Sequence, residues 1–187
     1  MVYTLHRKHQ FYYMKQGKTQ IEVLSRHGLG DIFYDHTSQQ RSFIATRDIK
    51  AGEELYQLGS KQIQSTPTYL TVQIAEKKHI VLNPDFLASI NHGCNPNVWF
   101  DVDHGVLRCV RNIKQGEQLT YFYPSTEWQM IQPFDCGCGS KKCLGYIQGA
   151  HAIDQDVINT YDLSDYIKAK VKTMAKRQAK KAMASLI

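Results

Sequence analysis

Residues 135–145 read "DCGCGSKKCLG", which puts Cys136, Cys138 and Cys143 inside eight residues in the spacing Cys-x-Cys-x4-Cys. A closed tetrahedral zinc site takes four ligands, so three thiolates leave it one short. The candidates for the fourth are Cys94, Cys109 and a histidine. Cys109 lies in "VLRCVRNI", a strand-like alternation in which a small buried thiol is the ordinary reading. Cys94 lies in "NHGCNPN", a loop dense in Gly, Asn and Pro, and a loop can aim a thiolate at a distant partner. Zinc is therefore assigned to Cys94, Cys136, Cys138 and Cys143. The competing reading is a reduced, metal-free knuckle or one that forms a disulfide. Four thiolates leave no open position, so the metal is expected to be structural. Its consequence is a tie between the knuckle and a loop about forty residues earlier in the chain.

Working outward, 187 residues suffice for one domain with its own core, and 42% apolar with 11% aromatic residues exclude a disordered chain. Residues 1–15, "MVYTLHRKHQFYYMK", contain no apolar h-region, and no apolar run reaches transmembrane length. An intracellular protein is expected, cytoplasmic or nuclear or nucleoid-associated. There, clustered thiols bind metal more often than they pair, and an odd count of five cysteines agrees. The formal charge of +6 is uneven. From Asp165 onward stand Lys168, Lys170, Lys172, Lys176, Arg177, Lys180 and Lys181 against one acid, which is +6, so residues 1–164 sum to zero. A positive field around the body of the protein is excluded.

Residues 1–100 read as short strands and turns: "TQIEVLS", "RSFIATRDI", "EELYQL", "YLTVQIA" and "KHIVLN" are β-prone runs bounded by turn residues. "KAGEE" and "KQGEQ" are near-duplicate turns, each entering a strand. "VWFDVDHGVLRCVRNI" reads as a hairpin about Asp103-His104-Gly105, and "PDFLASINH" holds one helical turn. After Gly149 the character changes. "LSDYIKAKVKTMAKRQAKKAMASL" predicts a helix capped by Ser164, with Ile167, Val171, Met174, Ala175 and Ala182 on one stripe that Gln178 interrupts.

Four blocks, in order between Ser42 and Gly145, resemble the SET domain of protein-lysine methyltransferases with its post-SET zinc-binding segment. "FIATRDIKAGEELYQL" resembles the opening strand and turn, "INHGCNPN" the family's N-H-S-C-x-P-N, and "GEQLTYFY" its G-E-E-L-T-F-D-Y. From Trp128, "W-x5-F-D-C-G-C-G-S-K-K-C-L-G" resembles the post-SET segment. The resemblance implies a mostly β SET fold: several short sheets about a knot-like crossing, a zinc-bound flap and a C-terminal helix. The expected division is a lead-in over 1–41, a SET core over 42–127, the post-SET knuckle over 128–149 and a basic helix over 150–187. The zinc would pin the flap over a lysine channel.

The chain departs from the family in several places. The Gly-x-Gly that lets backbone approach S-adenosylmethionine aligns with Gln40-Arg41-Ser42. A Gly-Leu-Gly does occur at Gly28–Gly30, followed by "DIFYDHTSQQR". Either that stretch is an insertion or a non-glycine loop contacts the cofactor. Family Ser becomes Gly93, family Asp becomes Phe122, and the usual Arg-Phe is Ala88-Ser89.

The implied chemistry is methyl transfer from S-adenosylmethionine to a lysine amine of a protein, a histone or another basic protein. Tyr123 matches the catalytic tyrosine, and Tyr121 stands where Phe or Tyr sets how many methyl groups are added. A hydroxyl at Tyr121 implies mono- or dimethylation. Asn91 and His92 match cofactor-holding residues, with Trp128 and Phe134 walling the pocket from the flap and Arg41 and Ser42 on the Gly-x-Gly side. Read alone, each has an ordinary structural role: a core tyrosine, a turn asparagine or histidine, buried tryptophan area. The remaining histidines read as surface. The competing functions are a catalytically weak SET-like protein-binding module and methylation of a non-protein amine. The basic helix offers a nucleic-acid or DNA-associated partner, an anionic membrane, or a solvated face. Oligomeric state has no signal in the sequence.

Overall fold

Each β-prone run becomes a short strand, and the strands gather into small sheets rather than one large one. The computed structural model describes residues 12–13 and 20–184. Most of the first nineteen residues, and the last three of the helical segment, lie outside the described residues.

The first sheet is antiparallel in chain order: β1 (Tyr12–Tyr13), β2 (Gln20–Arg26), β3 (Gly30–Asp35) and β4 (Gln40–Ala45). "DIFYDHTSQQR" is thus no loose insertion. It is β3 and a tight turn into β4, with register from Gly30↔Ala45 to Asp35↔Gln40. Gly30 is needed for close approach: a Cβ there would lie 2.7 Å from the Ile44 carbonyl oxygen and 3.0 Å from the Phe43 ring.

Next come β5 (Glu54–Gln57), β6 (Gly59–Gln64), β7 (Thr71–Ala75) and β8 (Lys78–Asn83). β8 runs between β6 and β7 in a second sheet. A 3-10 turn spans Asp85–Ser89 and leads into β9 (Asn91–His92), followed by β10 (Val98–Asp101) and β11 (Val106–Cys109). β10 and β11 form the expected hairpin, with Gly105 at φ 68°, and β5 adds to its far side. β12 (Thr120–Tyr121) lies parallel to β9, and β13 (Phe134–Asp135) pairs with β14 (Tyr146–Ile147). Two α-helices close the chain, α1 (Gln155–Ile158) and α2 (Asp165–Ala184). No described helix is long and apolar enough to cross a membrane.

The duplicate turns have duplicate chemistry. Glu53 Oε1 accepts the Lys50 N–H at 2.6 Å and Glu117 Oε2 accepts the Lys114 N–H at 3.1 Å. Gly52 and Gly116 take φ of 88° and 83°, which glycine adopts without strain. The turns sit side by side because Ile49 and Ile113 exchange both backbone hydrogen bonds, each 2.9 Å long.

Two apolar clusters form the core. The larger gathers Phe43, Phe100 and Leu107 from the sheets with Ile113 and Leu119 from the segment between β11 and β12, and the smaller gathers Phe122, Ala150, Ile158, Leu163, Ile167 and Val171. They meet at β12, where strand alternation sends Tyr121 into the first and Phe122 into the second. Ser164 caps α2, its Oγ accepting the Ile167 N–H at 3.3 Å. Of the expected stripe, Ile167 and Val171 are buried and Met174 and Ala175 half-buried, whereas Ala182 is exposed. Three of the described histidines depart from the surface expectation: His27 and His151 are half-buried and His79 is buried. His79, on the central strand of its sheet, is 4% exposed, and burial lowers its pKa so that the ring is neutral.

Candidate active site and cysteine cluster

The site is built where two segments about thirty residues apart in sequence cross. β9 and β12 pair in parallel with Thr120↔Asn91 and Tyr121↔His92, and Gly93 donates its N–H to the Tyr121 carbonyl at 3.0 Å. A two-residue ladder is weak by itself, and the fully buried Asn97 reinforces it. Its Nδ2 donates to the Gln118 carbonyl at 2.8 Å, its Oδ1 accepts the Thr120 N–H at 2.8 Å, and its own N–H donates to the Thr120 carbonyl at 3.1 Å. Gly93 is bare for a steric reason: a Cβ would lie 2.7 Å from Thr120 Oγ1 and 2.9 Å from its Cβ.

This crossing sets the tyrosines. The ring centroids of Tyr121 and Tyr123 are 4.6 Å apart, and Tyr121 rests against Phe100 at 4.3 Å. The Tyr123 hydroxyl points to the Ile90 carbonyl at a long 3.4 Å. Burial pushes the Tyr123 phenol up to about 12 and the Tyr121 phenol well above its usual value. Both are therefore neutral phenols at neutral pH.

His92 is a strut. Its Nδ1 accepts the Tyr123 N–H at 3.3 Å, and its Nε2 stands 3.2 Å from Cys94 Sγ. Burial lowers its pKa to about 4, so the ring is neutral, and with Nδ1 accepting, Nε2–H is left to donate to the sulfur. Asn91 Nδ2 donates to the Arg41 carbonyl at 2.6 Å, which draws β4 to the crossing. The non-glycine pair Arg41 and Ser42 therefore stands beside Asn91. Gly30 faces Ala45, four residues farther along β4. The Phe134 ring meets His92 at 5.7 Å and Tyr123 at 6.1 Å, so the flap does reach the tyrosine. Trp128 faces elsewhere: its ring meets His151 at 6.1 Å and carries the Lys170 ammonium 5.1 Å from its centroid.

The sulfurs of Cys94, Cys136, Cys138 and Cys143 all lie within 4.8 Å of one another, and Cys94 and Cys136 are 3.8 Å apart. A tetrahedral zinc with bonds of about 2.3 Å sets its sulfurs about 3.8 Å apart, so the cluster fits the metal. Burial pushes the Cys94 thiol well up and Cys136 to about 11. Cys138 also feels burial, but backbone N–H groups at Cys94 and Ser140 and the neighbouring thiols draw it down to about 7. Four thiolates in one place need a cation to balance them. Cys109 is elsewhere, buried on β11 and donating to the Arg111 carbonyl at 2.9 Å.

Three residues near the site have roles that the sequence does not show. Tyr161 donates to the Cys94 carbonyl at 2.9 Å and stacks on Phe122 with centroids 3.7 Å apart and planes at 8°. Phe122 is 2% exposed, so the aspartate usual in the resembling motif would be a buried charge here. Glu127 is 8% exposed, with Oε1 accepting the Gln73 N–H at 2.7 Å, and burial raises its pKa to about 7. The Gln73 side chain returns a bond, its Oε1 accepting the Trp128 N–H at 3.0 Å.

Comparison with known proteins agrees with this geometry. The SET domain family matches residues 62–124. The chain is similar to the methyltransferase flvH of Aspergillus flavus, with 36% identity over 135 residues, covering 71% of this chain and 74% of that protein. It is similar to the histone-lysine N-methyltransferase trithorax of Drosophila virilis at 29% identity over 133 residues, 57% of this chain but 3% of that protein. The histone-lysine N-methyltransferase set9 of Schizosaccharomyces pombe is 27% identical over 132 residues, 60% of this chain and 28% of its own length. With its crossing, its paired tyrosines and its four-cysteine flap in place, the chain belongs to the SET-domain family of methyltransferases.

Proposed function

We propose that this chain methylates the side-chain amine of lysine in a protein, a histone or another basic protein, and adds mainly one or two methyl groups. The observation that carries the reading is the pair of tyrosines with centroids 4.6 Å apart, held neutral by burial at the crossing. The cofactor is S-adenosylmethionine, whose sulfonium supplies the electrophilic methyl. The residues present fit it: Tyr123, Phe134, Asn91 and Ser42 are half-buried, Phe134 lies 6.1 Å from Tyr123, and Asn91 is bonded to the Arg41 carbonyl next to Ser42.

A lysine amine, with an ordinary pKa of about 10.4, must be neutral to attack. Apolar walls such as Tyr121, Tyr123 and Phe134 favour the neutral form by withholding water. Tyr123, with its phenol at about 12, is no base at neutral pH. Its role is alignment: the hydroxyl oxygen accepts from the amine and fixes the direction of approach. Tyr121 occupies the adjacent space and limits turning of an already methylated amine. His92 holds the Tyr123 backbone against the cysteine cluster, and zinc on the four cysteines would fasten the flap carrying Phe134.

A second reading is methylation of a non-protein amine, since the relative matched over 74% of its length is named only as a methyltransferase. Incubation with methyl-labelled cofactor and panels of basic proteins, lysine peptides and small amines separates the two. Label on lysine after digestion of a protein is the expected result. Label on small amines alone would replace the proposal with the second reading.

A further inference from the structure

The seven basic residues of the C-terminal segment divide into two groups. Lys168 pairs with Asp165 at 2.9 Å, and Lys170 pairs with Glu76 at 3.0 Å while covering the Trp128 ring. Lys170 is thus tied to the domain, and Lys168 is neutralised within the helix. Lys172, Lys176, Arg177, Lys180 and Lys181 are exposed, and none pairs with a carboxylate among the described residues. From residue 176 to 184 every position of α2 is exposed.

We propose that the basic side of α2 over residues 172–184 binds the phosphate backbone of duplex DNA. Lys172, Lys176 and Lys180 form one i, i+4, i+8 row, and Arg177 and Lys181 form the row one residue on, about 100° round the helix. Charge therefore covers about half the circumference along roughly 14 Å of helix. A helix about 10–12 Å across enters a major groove about 12 Å wide, where two such rows face phosphates on both walls.

The same segment disfavours other anionic partners. A membrane-surface helix needs large apolar residues opposite its charges. Here that face carries Ala175, Gln178, Ala179 and Ala182; residues 172–184 contain no aromatic, leucine or isoleucine, and of their two methionines Met174 is half-buried at the edge of that face while Met183 lies among the charges. Single strands are gripped by stacking on aromatic rings, and there are none. The major groove of duplex RNA is too deep and narrow for side chains.

The test uses the full chain and a fluorescently labelled 20-base-pair DNA, with binding read by anisotropy from 50 to 200 mM salt. Five released counterions predict a log–log slope of about −4.5, so that affinity falls roughly 500-fold across that range. Replacing the five exposed bases by glutamine keeps helix propensity and should lower DNA affinity at least about 100-fold at 50 mM salt. Circular dichroism should show the fold unchanged, and the methylation rate on a short peptide should stay the same. The paired variant Lys168→Gln/Lys170→Gln should keep the DNA affinity. DNA affinity unchanged in the five-fold variant would overturn the proposal, as would tighter binding to duplex RNA, to single strands or to phosphatidylserine vesicles. The outcome is independent of the methyl acceptor, since DNA binding is read without cofactor.

Discussion

Tyr123 and Tyr121 differ in what their hydroxyls are asked to do, and phenylalanine separates the two roles. Tyr123→Phe keeps the ring packing and removes the aligning oxygen. A kcat drop of roughly 100-fold or more is expected, with S-adenosylhomocysteine affinity unchanged by titration calorimetry, because misalignment acts on the reacting geometry. Unchanged turnover would end the role given to Tyr123. Tyr121→Phe should move the product from mono- toward dimethyl-lysine, read by mass spectrometry at full conversion; trimethyl-lysine as the main product of the unmodified chain would contradict this. Glu127 offers a pH test. Its pKa is raised from 4.5 to about 7 by burial, so the folded state holds the proton more tightly than the unfolded one. Its stabilisation is full below about pH 4.5 and is lost as pH rises through 7. Across that window the loss is up to about 3 kcal/mol, and Glu127→Gln should remove it while keeping the Oε1 acceptor for Gln73. Urea melts at pH 5 and pH 8 should therefore differ less in Glu127→Gln than in the unmodified chain.

At the scale of elements, the flap is held by very little secondary structure. β13 and β14 are two residues each, and the segment between them is turns around three cysteines. Such a segment orders only if something else fixes it, and the four sulfurs within 4.8 Å offer a metal for that task. Metal analysis should find one zinc per chain, retained in Cys109→Ser and lost or weakened in Cys94→Ser and Cys136→Ser. Zinc lost from Cys109→Ser but kept by Cys94→Ser would reverse the assignment. Chelation should loosen the flap and lower the methylation rate, because Phe134 and the His92 strut both answer to the cluster.

At the scale of the whole molecule, the C-terminal segment does two separate things. Its first turns complete the second core: Ile167 is fully buried with Phe122, Ile158 and Leu163. Phe122 lies between the two tyrosines in sequence, so this core backs the site from behind. Ile167→Ala should cost about 2–5 kcal/mol, measured by denaturant melts, and should also lower turnover. A variant equal in stability to the unmodified chain would show that the helix is not part of the fold's core. Its last described turns, residues 176–184, are exposed.

The readings that came from sequence alone are those whose physics is local. The Cys-x-Cys-x4-Cys spacing, the twin Lys-x-Gly-Glu turns, the Asp-His-Gly hairpin and the Ser164 cap each lie within a few residues, and backbone geometry with short-range hydrogen bonds determines them. The order of four motifs was enough for the fold family. What only tertiary structure decided is long-range. Asn97 became the pin of the crossing because the fold brings its amide within hydrogen-bond reach of Gln118 and Thr120, more than twenty residues along the chain. Phe122 could replace an acid because Tyr161 stacks on it from forty residues away. Arg41 came to Asn91 because β3 and β4 pair as a hairpin, which glycine spacing did not reveal. The seven basic residues of the tail look alike in sequence. Glu76, distant in sequence, holds Lys170 against the domain, Asp165 neutralises Lys168 one helical turn away, and five remain unpaired with any carboxylate among the described residues.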